Sequence, residues 1–243
     1  MASWSTRSEG EQLAQWVTRA PEMVLSHIYV THGHADHFFG AGPLLRLFPD
    51  AELVTLPEAL EEARKQIEPA TMAAWLSWFD GQLDDHPAVP TALDSDYIDL
   101  EGRPLRLQSV GGADGVTATV VHIPEQNVVV SGDIAYNGIH MWLVGSTPQS
   151  RADWIASIDR IEALQPKTVI TGHRDPGVSD DDAHRILDQS RSYISDFDRA
   201  VSSADAAADL VAAMLGSYGD FGNPYTLYAA AASQFPSAPS GEG

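Results

Sequence analysis

The feature that most constrains this chain is the run His32-Gly33-His34-Ala35-Asp36-His37, which follows directly on Ile28-Tyr29-Val30-Thr31. The latter segment is apolar and β-branched, and reads as a short strand that stops at His32. Three imidazoles and a carboxylate then crowd into six residues at the mouth of that strand. A lone His on an apolar face is commonly a satisfied core residue, but core packing does not explain four ligating groups in one short loop. Neutral imidazoles and a carboxylate suit zinc or iron. The chain has no cysteine, so thiolate sites and disulfide frameworks are excluded, and any metal must be held by His and carboxylate.

Two more apolar segments lead into polar clusters of the same chemistry. Val128-Val129-Val130-Ser131 is expected to be a buried strand ending at Gly132-Asp133, and Thr168-Val169-Ile170-Thr171 a strand ending at Gly172-His173. Strand ends and the loops after them are where a rigid scaffold can hold reactive groups at a sheet edge. Between these segments, residues 8–19 read as an amphipathic helix carrying Leu13, Trp16 and Val17. Phe38 to Phe48 reads as a helix closed by Pro49, and Leu53 to Leu56 as a second strand. Residues 57–83 are helical in composition, with Trp75, Leu76, Trp78 and Phe79 expected in the core, or else on a helical flap over a pocket. Residues 98–100 and 105–110 read as strands of a meander and 116–123 as another strand. Residues 154–164, 180–202 and 205–215 read as helices.

The segment Thr31-His32-Gly33-His34-Ala35-Asp36-His37-Phe38-Phe39-Gly40 resembles the signature of the metallo-β-lactamase fold superfamily. The resemblance continues through Ser131-Gly132-Asp133 and Thr171-Gly172-His173, in the family's order and at similar spacing. It implies an α/β (α+β) chain folded as a four-layer αββα sandwich, one domain over residues 1–236, while the Ser-, Pro- and Gly-rich composition of 237–243 predicts a disordered tail. The resemblance also implies a metal-dependent hydrolase. Position by position, His32 and His34 fall to a first metal site, Asp36, His37 and His173 to a second, and Asp133 bridges both. The implied cofactor is zinc, one or two ions, with iron or manganese also compatible with such ligands. A hydroxide generated on the metal would attack an ester, thioester, lactone or amide carbonyl, with Asp36 both ligating and orienting it. The implied partner is therefore a small molecule with a hydrolysable carbonyl.

Two positions depart from the family pattern. Gly112, in Val110-Gly111-Gly112-Ala113-Asp114-Gly115, stands where a third His of the first site is expected. That site should be weak or empty while the second fills first, with Asp114, or less readily His122, as a substitute ligand. The family's usual first strands are also missing ahead of the first helix, which leaves a sheet edge open to association and predicts a homo-oligomer. A non-catalytic metal-binding relative is the alternative that these departures support.

Tyr136 and His140, in Asp133-Ile134-Ala135-Tyr136-Asn137-Gly138-Ile139-His140, resemble a Tyr-Asn-Gly-x-His run found in a subset of the superfamily. They are candidates to donate to a substrate oxyanion or to orient a ligand, against the plain reading of a turn at Asn137-Gly138. Arg174 could meet an anionic group or form a surface ion pair. His27, His86 and His184 read as structural or surface residues. Trp142 and the Trp75–Phe79 cluster are candidates for an apolar pocket wall.

Charge narrows the partners. With 14 Lys and Arg against 34 Asp and Glu, the net charge is -20, which argues against nucleic acid or an anionic membrane as the main partner. No apolar run approaches membrane-spanning length and the first twenty residues hold no signal-peptide core, so the expected compartment is the cytoplasm.

Overall fold

Residues 5–20 and 22–235 are described in the computed structural model. They fall into two units, one made of the chain up to Val110 with Val116–Ile123, the other of Gly111–Gly115 with the chain from Pro124 onward. The tail expected to be disordered, 237–243, lies outside the described residues.

The first unit opens with α1 (Arg7–Val17), started by a reciprocal cap in which Thr6 Oγ1 accepts from the Glu9 N–H and the Glu9 carboxylate accepts from the Thr6 N–H. Strands β1 (His27–Tyr29), β2 (Glu52–Thr55) and β3 (Thr91–Ala92) form a parallel sheet in that order. Parallel neighbours need crossovers, and helices supply them. A pair of 3-10 turns and α2 (Gly42–Leu47) lie between β1 and β2, and α3 (Pro57–Gln66) and α4 (Pro69–Trp78) between β2 and β3. The stretch expected to be helical over 57–83 is thus two helices. Pro57 and Pro69 each begin one, because a ring that lacks an N–H costs nothing in a first turn and breaks an interior one. Strand β4 (Tyr97–Leu100) runs antiparallel to β5 (Arg103–Ala113), and β6 (Val116–Ile123) is next to β5 in the sheet order.

Ile28, Val30, Phe38, Phe39, Leu44, Leu53, Met72 and Leu83 are buried together in this unit, with Trp75 and Phe79 packed against them. Phe39 and Trp75 meet edge to face at 6.1 Å between ring centres. The aromatic cluster is therefore core packing at Trp75 and Phe79, while Trp78 stays 70% exposed. Each such side chain removed from water contributes roughly 1.5–3 kcal/mol.

In the second unit β7 (Val128–Asn137) pairs in parallel with β8 (Thr168–Arg174), with α5 (Pro148–Glu162) as the crossover. Three helices follow: α6 (Ala183–Ser203), α7 (Ala207–Tyr218) and α8 (Pro224–Gln234). Ile186, Leu187, Tyr193, Ile194 and Phe197 recur at helical spacing on α6 and are buried. One expectation is corrected here. The strands do not end at Asp133 and His173 but run through them, with register shifts between Val130 and Gly132 and between Gly132 and Tyr136. Such bulges re-aim side chains without ending the ladder. No described helix is long and apolar enough to cross a membrane.

Candidate metal centre

In the first unit the His-rich loop is fixed by the strands around it. Val30 N–H donates to Val54 O (2.9 Å), and Thr55 Oγ1 donates to Val30 O (2.8 Å). One residue on, Thr119 on β6 donates to Thr31 O from both its backbone N–H (2.9 Å) and its hydroxyl (2.6 Å). The Thr119 proton is thereby committed, so the Tyr29 hydroxyl, 2.7 Å from Thr119 Oγ1, is the donor of that pair. Burial pushes the Tyr29 phenol up to about 12, which keeps it a donor at neutral pH. This relay pins the carbonyl immediately before His32.

Beyond it the chain makes a 3-10 turn over Ala35–His37, with His37 N–H donating to His34 O at 3.1 Å. A turn of this pitch brings the imidazoles together. The His32 and His37 ring centres are 4.0 Å apart, and those of His32 and His34 5.0 Å. Asp36 Oδ2 lies 3.5 Å from His37 Nε2. His32 is fully buried and His37 nearly so, with His34 and Asp36 half-buried. The Thr31 hydroxyl sits 3.2 Å from His32 Nδ1, the kind of contact that orients a ligating ring. Gly33 lets the loop lie against α3: a Cβ there would strike the backbone of Glu62 and Ala63.

The second unit holds candidates of its own. Asp133 is 2% exposed, and its Oδ2 lies 3.2 Å from His173 Nε2 and accepts from the Tyr136 hydroxyl at 3.1 Å. Tyr136 and His173 are ladder partners, and their rings stack at 5.4 Å and 21°. Gly172 is part of the cradle, because a Cβ at that position would fall on Asp133 Oδ1. Thr171 Oγ1 donates to His173 O at 3.0 Å.

Other candidates take plainer places. His140 is fully buried; its Nδ1 is 2.9 Å from the Tyr193 hydroxyl, its N–H donates to Gly222 O, and its carbonyl accepts from Thr226 Oγ1. Burial lowers its pKa, so the ring is neutral at physiological pH. Asn137 is not a bare turn residue: its Nδ2 donates to Ser179 O and Asp180 Oδ1, both at 3.0 Å. Arg174 forms an ion pair with Asp180 at 3.1 Å, so the plain reading holds for it. His184 pairs with Asp188 on an exposed face. His122 is half-buried, and its pKa is lowered chiefly by burial and secondarily by Arg106. Gly112, which has no side chain to ligate with, accepts from Ser157 Oγ at its carbonyl (2.9 Å). Trp142 lies 6.5 Å from Tyr225, ring centre to ring centre. Sequence reasoning misses Ser190, whose hydroxyl accepts from Tyr136 N–H (3.0 Å) and lies within hydrogen-bonding distance of the Tyr136 and Ile186 carbonyls. A lone helical Ser leaves no mark in a sequence.

Each unit thus holds buried or half-buried His and Asp side chains of the kind that could bind a metal ion. Without a thiolate in the chain, the donors are all imidazole and carboxylate, which fits zinc, iron or manganese. An α/β chain carrying such donors on its strand ends and strand bulges has side chains that could hold a metal ion. The chain belongs to the metallo-β-lactamase superfamily, whose family model matches residues 10–173. Solved structures agree on the fold. A metallo-β-lactamase family protein from Thermus thermophilus is 16% identical with a TM-score of 0.63, covering 96% of this chain and 81% of that one. A β-lactamase domain protein from Burkholderia ambifaria is 17% identical at 0.64, covering 96% and 74%. A metallo-β-lactamase from Pontibacter korlensis is 19% identical at 0.58, covering 80% of each chain. No curated protein matches. The fold is accordingly α/β of the metallo-β-lactamase type, with two sheets flanked by helices.

Proposed function

We propose that this protein is a metal-dependent hydrolase of small molecules carrying an ester, thioester, lactone or amide carbonyl. The observation that carries the reading is the His32–His37 turn, in which three imidazoles and a carboxylate converge and the innermost ring is fully buried. Family membership supports the extension to Asp133 and His173. In this reading His32 and His34 would hold a first ion and Asp36, His37 and His173 a second, with Asp133 a further candidate ligand. A divalent ion held there, most simply zinc, would supply a Lewis acid for the carbonyl oxygen and lower the pKa of water at the site. The chain's own residues do the rest. Asp36 Oδ2, beside His37, would orient the attacking water, take its proton and return it to the leaving alkoxide, thiolate or amine as the carbonyl–heteroatom bond breaks.

The test is elemental analysis of the purified protein together with hydrolysis assays on generic esters, thioesters and lactones. One tightly held equivalent is expected, because Gly112 provides no side chain for the first site. Asp36→Asn should lower kcat by at least about 100-fold, in line with the loss of a positioned acid–base group. A protein that takes up no metal would end this reading. Gly112 also favours a second reading, a non-catalytic metal-binding relative, and Gly112→His separates the two. Activity that appears or rises in that variant identifies a hydrolase with a modified site. Inertness of both proteins when loaded with zinc identifies the binding relative.

A further inference from the structure

From the contacts of the second unit we infer that Tyr136 is a positioning residue for Asp133 and His173, acting as a two-sided brace on the metal ligands, and not an oxyanion donor. The assignment rests on the metal-centre reading above and deepens it.

A phenol has one proton to give. Here it is directed at Asp133 Oδ2, 3.1 Å away, and the Tyr136 side chain belongs to a residue only 2% exposed. A substrate oxygen would have to displace a buried carboxylate that already accepts a charge-assisted hydrogen bond. The same ring lies nearly parallel to the His173 imidazole, 21° apart at 5.4 Å. The hydroxyl thus fixes one candidate ligand and the ring face another. The pairing follows from the ladder: Tyr136 and His173 are register partners, brought opposite each other by the register shift between Gly132 and Tyr136.

Tyr136 is itself held. Its N–H donates to Ser190 Oγ on α6 at 3.0 Å, and its ring lies 6.4 Å from Trp154, whose Nε1 donates to Ile134 O. Asp133 has no slack on its other side, since Gly172 leaves room for Oδ1 but not for a Cβ. A carboxylate confined in this way does not have to be ordered when it takes up an ion. Supports of this kind typically change metal affinity by about 10–100-fold when removed.

The experiment is zinc affinity by chelator competition on the full chain, with the visible spectrum of the cobalt(II)-loaded protein as a second readout. Tyr136→Phe keeps the ring and removes only the proton. It should weaken zinc binding by about 10–100-fold and alter the cobalt spectrum. Ser190→Ala, which loosens the brace without touching a ligand, should weaken binding less. Unchanged affinity and spectrum in Tyr136→Phe would overturn the assignment. So would a variant that loses turnover at undiminished zinc affinity, since that is the signature of a substrate donor. A wild-type protein that binds neither metal ends the hydrolase reading and the brace together, whereas equal tight binding by wild type and variant ends only the brace.

Discussion

At the scale of single residues, the candidate ligands are legible and their supports are not. His32, His34, Asp36 and His37 announce themselves because four ligating side chains in six residues have no packing explanation. Asp133 and His173 lie far along the chain from them, and are readable only through family resemblance and the apolar runs ahead of them. Gly172 is a different case. Its sequence context, Thr171-Gly172-His173, marks it as part of a motif, but only the structure shows the reason, which is the room needed by Asp133 Oδ1. The consequence can be measured. Gly172→Ala must push the carboxylate aside or shift the ladder, and overpacking of this kind costs about 1–3 kcal/mol. The variant should therefore lose stability in urea by that amount and bind zinc more weakly than wild type. Wild-type affinity and an unchanged urea midpoint would show that the cradle has slack that its geometry does not suggest.

At the scale of elements, periodicity locates most strands and helices but not their ends. The β7 and β8 ladders continue past the residues where β-branched runs stop, because the bulges keep pairing alive through Gly132-Asp133 and Gly172-His173. Composition cannot register a bulge. The two-residue β3 has no period to detect, and α8, rich in alanine and bounded by Pro224, carries too weak an apolar stripe to stand out. Arg151 is invisible for a related reason. It lies on α5 ahead of the span 154–164 that reads as a helix, and it is 2% exposed. Its guanidinium donates to Asp198 on α6 and to the Ser146 carbonyl (3.0 Å) and hydroxyl (3.1 Å), and lies 5.7 Å from the centre of the Phe197 ring. The residue clamps α5 and α6 to the loop before α5. Asp198 is half exposed, so on loss of its partner it regains water and the full cost of an orphaned buried charge does not apply. The remaining losses are packing and hydrogen bonds. Arg151→Ala should lower the unfolding free energy by about 2–4 kcal/mol, read from the urea midpoint, and Arg151→Lys should recover only part of it, because one ammonium cannot reproduce the forked contacts. A loss under about 1 kcal/mol would place the pair among ordinary surface ion pairs.

At the scale of the whole molecule, the dominant quantity is charge. Fourteen basic side chains face 34 acidic ones, and many of the basic groups are already committed. Arg7 and Arg46 sit on Asp84, Arg174 on Asp180, Arg199 on Asp196, and Arg191 on Asp159, Glu162 and Asp188 together. What is left over is predominantly negative. Salt acts on both sets in opposite directions. It weakens exposed pairs, each worth only about 0–1 kcal/mol, and it relieves repulsion among the surplus carboxylates, a sum over many longer distances. With a net charge of -20, the second effect should win. Raising sodium chloride from about 0.01 M, where the Debye length is about 30 Å, to about 1 M, where it is about 3 Å, should therefore raise Tm at pH 7. The gain should be a few degrees, at roughly 2–4 °C for each kcal/mol in a chain of this size. Near pH 4.5, the isoelectric point of the sequence, the net repulsion is small, so the same salt step should leave Tm flat or lower it. A calorimetric scan at both pH values decides between these terms. If salt lowers Tm at pH 7, the ion pairs around Arg191 and Asp84 outweigh the repulsion, and the acidic surface is an organised network rather than a surplus.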